Sequence, residues 1–253
     1  MTPIDHESRH CYGKATFLTV TVIVMVCVAG FMATVGAAKP LAASVAETTS
    51  SAYPKAGVLL RARLAAHAGP SAASSVVKVF PQFRSDFRPT TVLVLGEAKD
   101  AKGVRWLKIA VPMRPNGRAG WVKATSVQTR PVHRSIVVDL SSRKLRVLEN
   151  GKTRFATRVA VGRRGMETPT GTRFYLTATF KPTEHFLGAF AFETSAYSKL
   201  SEWPGGGVVG LHGTSMPSLL GKAVSHGCIR MSNAAALTLK RLTPAGTPLR
   251  IVD

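Results

Sequence analysis

Residues 15–38 form a run of 24 residues with neither a charge nor a proline. As a helix the run would extend about 36 Å, enough to cross a hydrocarbon layer of about 30 Å. A segment of this kind does not join a water-soluble core, so it divides the chain. It sets off a polar cytoplasmic leader, residues 1–14, from everything that follows. The apolar stretch of a cleaved signal is normally about 7–15 residues, so length favours a transmembrane anchor. Gly36-Ala37-Ala38 and Ser44-Val45-Ala46 offer cleavage sites for the alternative, a signal segment.

Beyond the apolar run, residues 39–75 are rich in Ala, Ser and Thr with scattered Pro and Gly, and read as a tether with a short helix around residues 58–67. His67 falls there as an exposed polar residue. From 76 to 129 the pattern turns to short β runs. Val92-Leu93-Val94-Leu95 is a compact apolar strand, and Leu107, Ile109 and Val111 share one face of a run whose other face carries Trp106 and Lys108. Pro115-Asn116-Gly117 marks a turn. Small strands between turns predict a compact barrel.

Arg130-Pro131 is a natural boundary, because proline cannot extend a central strand. A second domain, residues 134–252, opens with strands at 136–140, 145–148 and 154–161, and Asn150-Gly151 predicts a tight hairpin between the last two. Thr168-Pro169-Thr170-Gly171 is a turn into a strand at 173–178. Residues 180–207 read as a long, aromatic, irregular loop holding His185, Phe186, Phe190, Phe192, Tyr197 and Trp203. Ser232 can cap a helix running to Leu242, stopped by Pro244 and Gly246, and 247–252 makes a closing strand. The expected fold class is mainly β, mostly antiparallel in the second domain, with one short C-terminal helix.

The chemistry concentrates in residues 210–233, GLHGTSMPSLLGKAVSHGCIRMSN. A free thiol is only about 3 % ionised at pH 7, a deficit of about 2 kcal/mol against full ionisation. An adjacent imidazole removes that deficit by accepting the proton. His226, two residues before Cys228, would point to the same side on a strand or else shape the local turn; His212, arriving from another strand, can approach the sulfur from outside it. His212 is therefore the favoured base and His226 a supporting or anion-stabilising group. Gly227 fits a turn where the main chain meets a substrate carbonyl, which makes the N–H groups of Gly227 and Cys228 candidate oxyanion donors. Two histidines and a cysteine are also zinc ligands, but no second cysteine or carboxylate stands at ligand spacing. No metal and no cofactor is implied.

His212, a gap, and then Ser225-His226-Gly227-Cys228-Ile229-Arg230 resemble the signature of the YkuD-type L,D-transpeptidases, which cross-link or edit peptidoglycan in cell wall biogenesis. The resemblance covers about the last 120 residues. It implies that Cys228 is the nucleophile, that His212 is the base, and that Arg230 organises the site or binds a stem-peptide carboxylate. Where the family often has serine after the first histidine this chain has Gly213, whose carbonyl can still orient His212. In the family the region equivalent to 180–207 helps to cover the acyl-donor channel. GVRWLKI followed by GRAGWVKATSVQ similarly resembles a bacterial SH3-like domain, either a module that holds cell-wall peptide or glycan or a spacer that positions the enzyme.

Charge and cysteine usage fit those expectations. With 34 Lys and Arg against 13 Asp and Glu, the formal charge is +21, a field that attracts polyanions. No nucleic-acid motif is present and the leader argues for export to the cell envelope, so anionic cell-wall polymers, lipid headgroups and peptidoglycan carboxylates are the expected partners. Of Cys11, Cys27 and Cys228, only the last lies beyond the apolar run, which leaves it no exported partner for an intramolecular disulfide. An L,D-carboxypeptidase, in which water resolves the thioester, and a non-catalytic wall-binding protein are the alternative functions.

Overall fold

The computed structural model describes residues 54–202 and 205–253. The apolar run at 15–38, the leader and Trp203 lie outside the described residues. Among the described residues no helix is long and apolar enough to cross a membrane.

The first part is a seven-stranded sheet made of β1 (Lys55–Leu59), β2 (Arg63–His67), β3 (Val76–Pro81), β4 (Thr91–Lys99), β5 (Arg105–Ala110), β6 (Ala119–Lys123) and β7 (Val127–Pro131). Its strand order is β3-β2-β6-β5-β4-β1-β7. Leu107, Ile109 and Val111 face one core with Leu59, Leu64, Val94 and Val122, while Trp106 packs on the other side with Ala98 and Trp121. The predicted split of faces is therefore observed. The sheet, however, begins at Lys55 rather than at 76, so part of the expected tether is structured.

The expected helix around residues 58–67 is instead the end of β1 and all of β2. Leu, Ala and Arg favour a helix in isolation, but burial alternates along β2, with Leu64 and Ala66 inward. Pairing with β3 and β6 overrides the local preference. Gly57 permits the close approach of β1 to β7, since a Cβ there would sit 2.5 Å from a Val127 methyl. His67 is half-buried rather than exposed. Its Nδ1 donates to the Ser74 carbonyl at 2.8 Å, and its ring meets Trp106 edge-on at 5.7 Å.

The second part is built on β8 (Arg134–Asp139), β9 (Lys144–Glu149), β10 (Lys152–Arg158), β11 (Val161–Gly162), β12 (Gly171–Phe180), β13 (Ala191–Tyr197), β14 (Val208–His212), β15 (Ala223–Ser225), β16 (Ile229–Arg230), helix α1 (Asn233–Leu242) and β17 (Pro248–Val252). Eight of these strands form a sheet in the order β10-β9-β8-β17-β12-β13-β14-β16, and β11 pairs with β15. Most pairs are antiparallel; β17–β8, β14–β16 and β11–β15 are parallel. Asn150 (φ 51°) and Gly151 (φ 77°) turn β9 into β10 as predicted. The Ser232 hydroxyl accepts from Ala235 N–H at 3.1 Å and caps α1, which lays Ala235, Ala236 and Leu239 onto Leu211, Ile229, Met231 and Phe192.

Residues 180–207, expected as one irregular loop, contain β13 in their middle. The strand was hidden because it runs between β12 and β14 with both faces largely covered, so its burial does not alternate. The two parts pack together directly. Leu93 and Ala110 meet the fully buried Tyr175, Arg84 pairs with Glu193, and Arg88 donates to the Thr179 carbonyl.

Candidate active site

The short parallel pair β14–β16 assembles the site. Leu211 is paired with Ile229 and His212 with Arg230, so Cys228, one residue before β16, falls beside Gly210. The Gly210 N–H points at the Cys228 Sγ, 3.4 Å away. His212 lies two residues beyond Gly210 and so emerges on the same face. A Cβ at Gly210 would stand 3.8 Å from the sulfur and 3.9 Å from His212 Cδ2. Thiol and imidazole therefore converge over the one position in the strand that has no side chain to separate them.

His212 is 4 % exposed. Its Nδ1 lies 2.6 Å from the Gly213 carbonyl, which can only accept, so the neutral ring carries its proton there and its lone pair on Nε2. Burial, partly offset by the Gly213 and Leu187 carbonyls and reinforced by the nearby Arg230 charge, pushes its pKa down to about 4. Burial pushes the Cys228 thiol up, opposed by the Gly210 N–H and the Arg230 charge. Near neutral pH the resting pair is a neutral thiol and a neutral imidazole. That arrangement suits general-base activation during attack rather than a preformed ion pair.

The turn that carries the thiol is braced from within. Ser225 is fully buried; its hydroxyl donates to the Cys228 carbonyl at 2.5 Å and accepts from the Gly227 N–H at 3.2 Å. The Gly227 N–H, expected as an oxyanion donor, is thus already used. The Cys228 N–H has no protein partner among the described residues and remains the available donor. Gly227 holds φ at +113°, a conformation that favours glycine. Its carbonyl accepts from the Thr168 hydroxyl at 2.8 Å, and the same hydroxyl accepts from Gly162 N–H at 2.9 Å.

The remaining expected site residues occupy distinct places. Gly213 packs so closely on Asn233 and Ala189 that a side chain there would overlap them, and its carbonyl performs the orienting role. Arg230 exchanges backbone hydrogen bonds with Ala160, both 2.8 Å. Its Nε is buried without a hydrogen-bond partner, and its charge reaches both Cys228 and His212. His226 Nε2 accepts a long hydrogen bond, 3.5 Å, from Arg163. Among the described residues no group of three or more His, Cys, Asp or Glu converges as a metal site would.

Four contributors were not singled out from the sequence: Gly210, Thr168, Arg163 and Asn233, whose Oδ1 accepts from Ala189 N–H at 2.9 Å. Thr168 was visible only as part of a turn motif. A half-buried thiol beside a buried imidazole and an N–H without a protein partner, on one face of a β-rich domain, has the makings of an acyl-transfer site.

Comparison with known proteins gives that class a family. Residues 133–251 match the family described as YkuD, the L,D-transpeptidase catalytic domain. Two relatives named putative L,D-transpeptidase YkuD are similar to the chain. The protein from Bacillus licheniformis is 35 % identical over 116 residues, 46 % of this chain and 64 % of its own length. That from Bacillus subtilis is 32 % identical over 123 residues, 49 % of this chain and 67 % of its own. The chain therefore spans about two thirds of the length of the curated relatives it matches, and through this domain it belongs to the YkuD family. Among solved structures, L,D-transpeptidase 3 from Mycobacterium tuberculosis superposes with a TM-score of 0.40 at 15 % identity, over 64 % of this chain and 74 % of that one.

Proposed function

We propose that the protein is a peptidoglycan L,D-transpeptidase with Cys228 as nucleophile. The single observation that carries the reading is the convergence of the Cys228 sulfur and the His212 ring over Gly210, within a domain of the YkuD family. In the first step the sulfur attacks the carbonyl of the penultimate residue of a tetrapeptide stem while His212 Nε2 takes the thiol proton. The Cys228 N–H steadies the developing oxyanion, the C–N bond breaks, and the imidazolium returns the proton to the departing D-Ala amine. The product is a thioester on Cys228. In the second step the side-chain amine of an acceptor stem attacks that thioester, His212 takes the proton from the amine, and the thiol leaves with a proton restored. Cysteine suits this exchange because the thioester keeps its acyl reactivity until the amine arrives.

Arg230 holds a stem carboxylate in this scheme, a role supported by its buried, unpartnered Nε. Hydrolysis of the same thioester would make the protein an L,D-carboxypeptidase, so product analysis with and without an amine acceptor distinguishes the two outcomes. The first sheet resembles a bacterial SH3-like domain in sequence, and residues 15–38 anchor the chain in the membrane with the catalytic domain outside the cytoplasm. The test is intact-mass measurement after incubation with a tetrapeptide donor. The parent chain gains the acyl mass and Cys228→Ala does not; an adduct of the same mass on the alanine variant overturns the assignment.

A further inference from the structure

Two loops of the first sheet cross to the second and bind residues one contact removed from the turn that carries Cys228. The connection between β5 and β6 carries Arg114 and Asn116. The Asn116 amide donates to the Tyr197 carbonyl at 2.8 Å and its Oδ1 accepts from Tyr197 N–H at 3.0 Å, so it completes the end of β13 as a paired strand would. Arg114 lies over the Tyr197 ring, 4.8 Å from its centroid, and its Nη2 donates to the carbonyls of Ser198 (2.9 Å) and Gly206 (2.8 Å). These two carbonyls belong to opposite arms of one loop neck, which Ser198 also closes by donating its N–H and its hydroxyl to the Gly207 carbonyl at 2.8 and 3.1 Å.

Ser198 then meets the nucleophile turn, for a Cβ at Gly227 would lie 3.1 Å from its own. The path from Arg114 to the residue before Cys228 is thus one neck wide. A second path runs parallel to it. Arg84, in the loop after β3, makes a two-point pair with Glu193, at 3.1 and 2.8 Å. Glu193 is the cross-strand partner of Gly210, the residue whose N–H meets the Cys228 sulfur.

We infer that Arg114 is a positioning residue for Cys228, with Arg84 as a second brace, so that the first sheet is a working part of the catalytic site. This rests on the reading of Cys228 as nucleophile. Both bonds leave one nitrogen, whose two N–H groups are aimed together because the planar guanidinium is stacked on the Tyr197 ring, an orientation that a freely rotating ammonium does not fix. Arg114 is solvent-exposed on its outer side, so water replaces its bonds when it is removed and global stability changes little. What is lost is the position of the neck, and a displacement of about 1 Å at a reacting group costs on the order of 100-fold in rate.

The experiment compares Arg114→Ala, Arg114→Lys and the control Arg105→Ala, on the same sheet but in an exposed pair with Glu97, in the full chain. Two readouts are taken: the maximal rate of acyl-enzyme formation with a tetrapeptide donor, and hydrogen exchange of the amides in 225–230. Arg114→Ala is expected to lower the maximal rate at least about tenfold, with the donor concentration for half-maximal rate within about twofold and exchange in 225–230 accelerated while β8 and β9 are unchanged. Arg114→Lys recovers part of both and Arg105→Ala matches the parent. Unchanged exchange at 225–230 in a folded Arg114→Ala protein overturns the inference, as does an unchanged maximal rate. If Arg114→Ala does not fold, Asn116→Ala replaces it under the same criteria. If the parent itself forms no acyl-enzyme, it is the transpeptidase reading that fails, and the exchange readout still decides the positioning role.

Discussion

Thr168 offers a direct test of how the turn that carries Cys228 is held. Its hydroxyl serves two backbone groups, accepting from Gly162 N–H at 2.9 Å and donating to the Gly227 carbonyl at 2.8 Å, and the residue is 3 % exposed. Thr168→Val keeps the shape and removes both bonds. Each orphaned buried group costs about 1–3 kcal/mol, so the sum is about 2–6 kcal/mol, and some relaxation towards water places the expectation near the lower half of that range. For a domain of this size 1 kcal/mol moves Tm by about 2–4 °C, which gives a loss of about 4–16 °C by thermal denaturation. Thr168→Ser keeps the hydroxyl and loses one methyl, worth about 1 kcal/mol. The serine variant should therefore form acyl-enzyme at close to the parent rate in intact-mass assays, and the valine variant should not. A valine variant with a Tm within about 1 °C of the parent would refute the reasoning, because it would mean that neither bond matters in the folded state.

Two other expectations follow from the same geometry. Gly210→Ala adds a methyl at ordinary contact distance, 3.8 Å from Cys228 Sγ, 3.9 Å from His212 Cδ2 and 3.6 Å from the Phe192 carbonyl; the fold should survive, with a change in denaturant midpoint equivalent to under about 1 kcal/mol, while the methyl stands between thiol and base and slows acylation at least about tenfold. His212 titrates near 4 in the folded chain against 6.5 when unperturbed, so the unfolded state binds the proton first; stability contributed by the neutral ring is intact above pH 6.5 and falls by about 3 kcal/mol as the pH drops to 4. Urea denaturation across that window should show the loss, and His212→Gln should reduce it.

Much of this architecture was legible from the sequence, and its failures have physical causes. The Asn150-Gly151 hairpin, the cap at Ser232 and the split faces around Leu107 were readable because each depends on residues within one element. β1 and β2 were not, since the leucines, alanines and arginines of 58–67 prefer a helix and pairing of β1 with β4 and β7, and of β2 with β3 and β6, makes them strands. β13 was missed because a strand covered on both sides loses its alternation. The pairing of Cys228 with His212 was expected from the motif, but the site's scaffold was not. Thr168 acts across 59 residues of sequence, and Gly210 contributes by having no side chain, neither of which leaves a periodic signal.

The protonation states of the two central groups bear on how the chemistry is started. Burial moves both in the direction that favours the uncharged form, the thiol up and the imidazole down, so the resting site stores no thiolate. Arg230 lowers both, which helps the thiol to ionise and hinders the imidazole from keeping the proton. A single fixed cation thus cannot drive the transfer, and on the proposed mechanism the missing stabilisation comes from groups that gain charge only during attack, chiefly an oxyanion facing the Cys228 N–H. On that reading the sulfur's reactivity is a property of the occupied site. For that reason, alkylation of the empty site by a small neutral reagent measures the cost of burial, whereas acylation by a peptide donor measures catalysis.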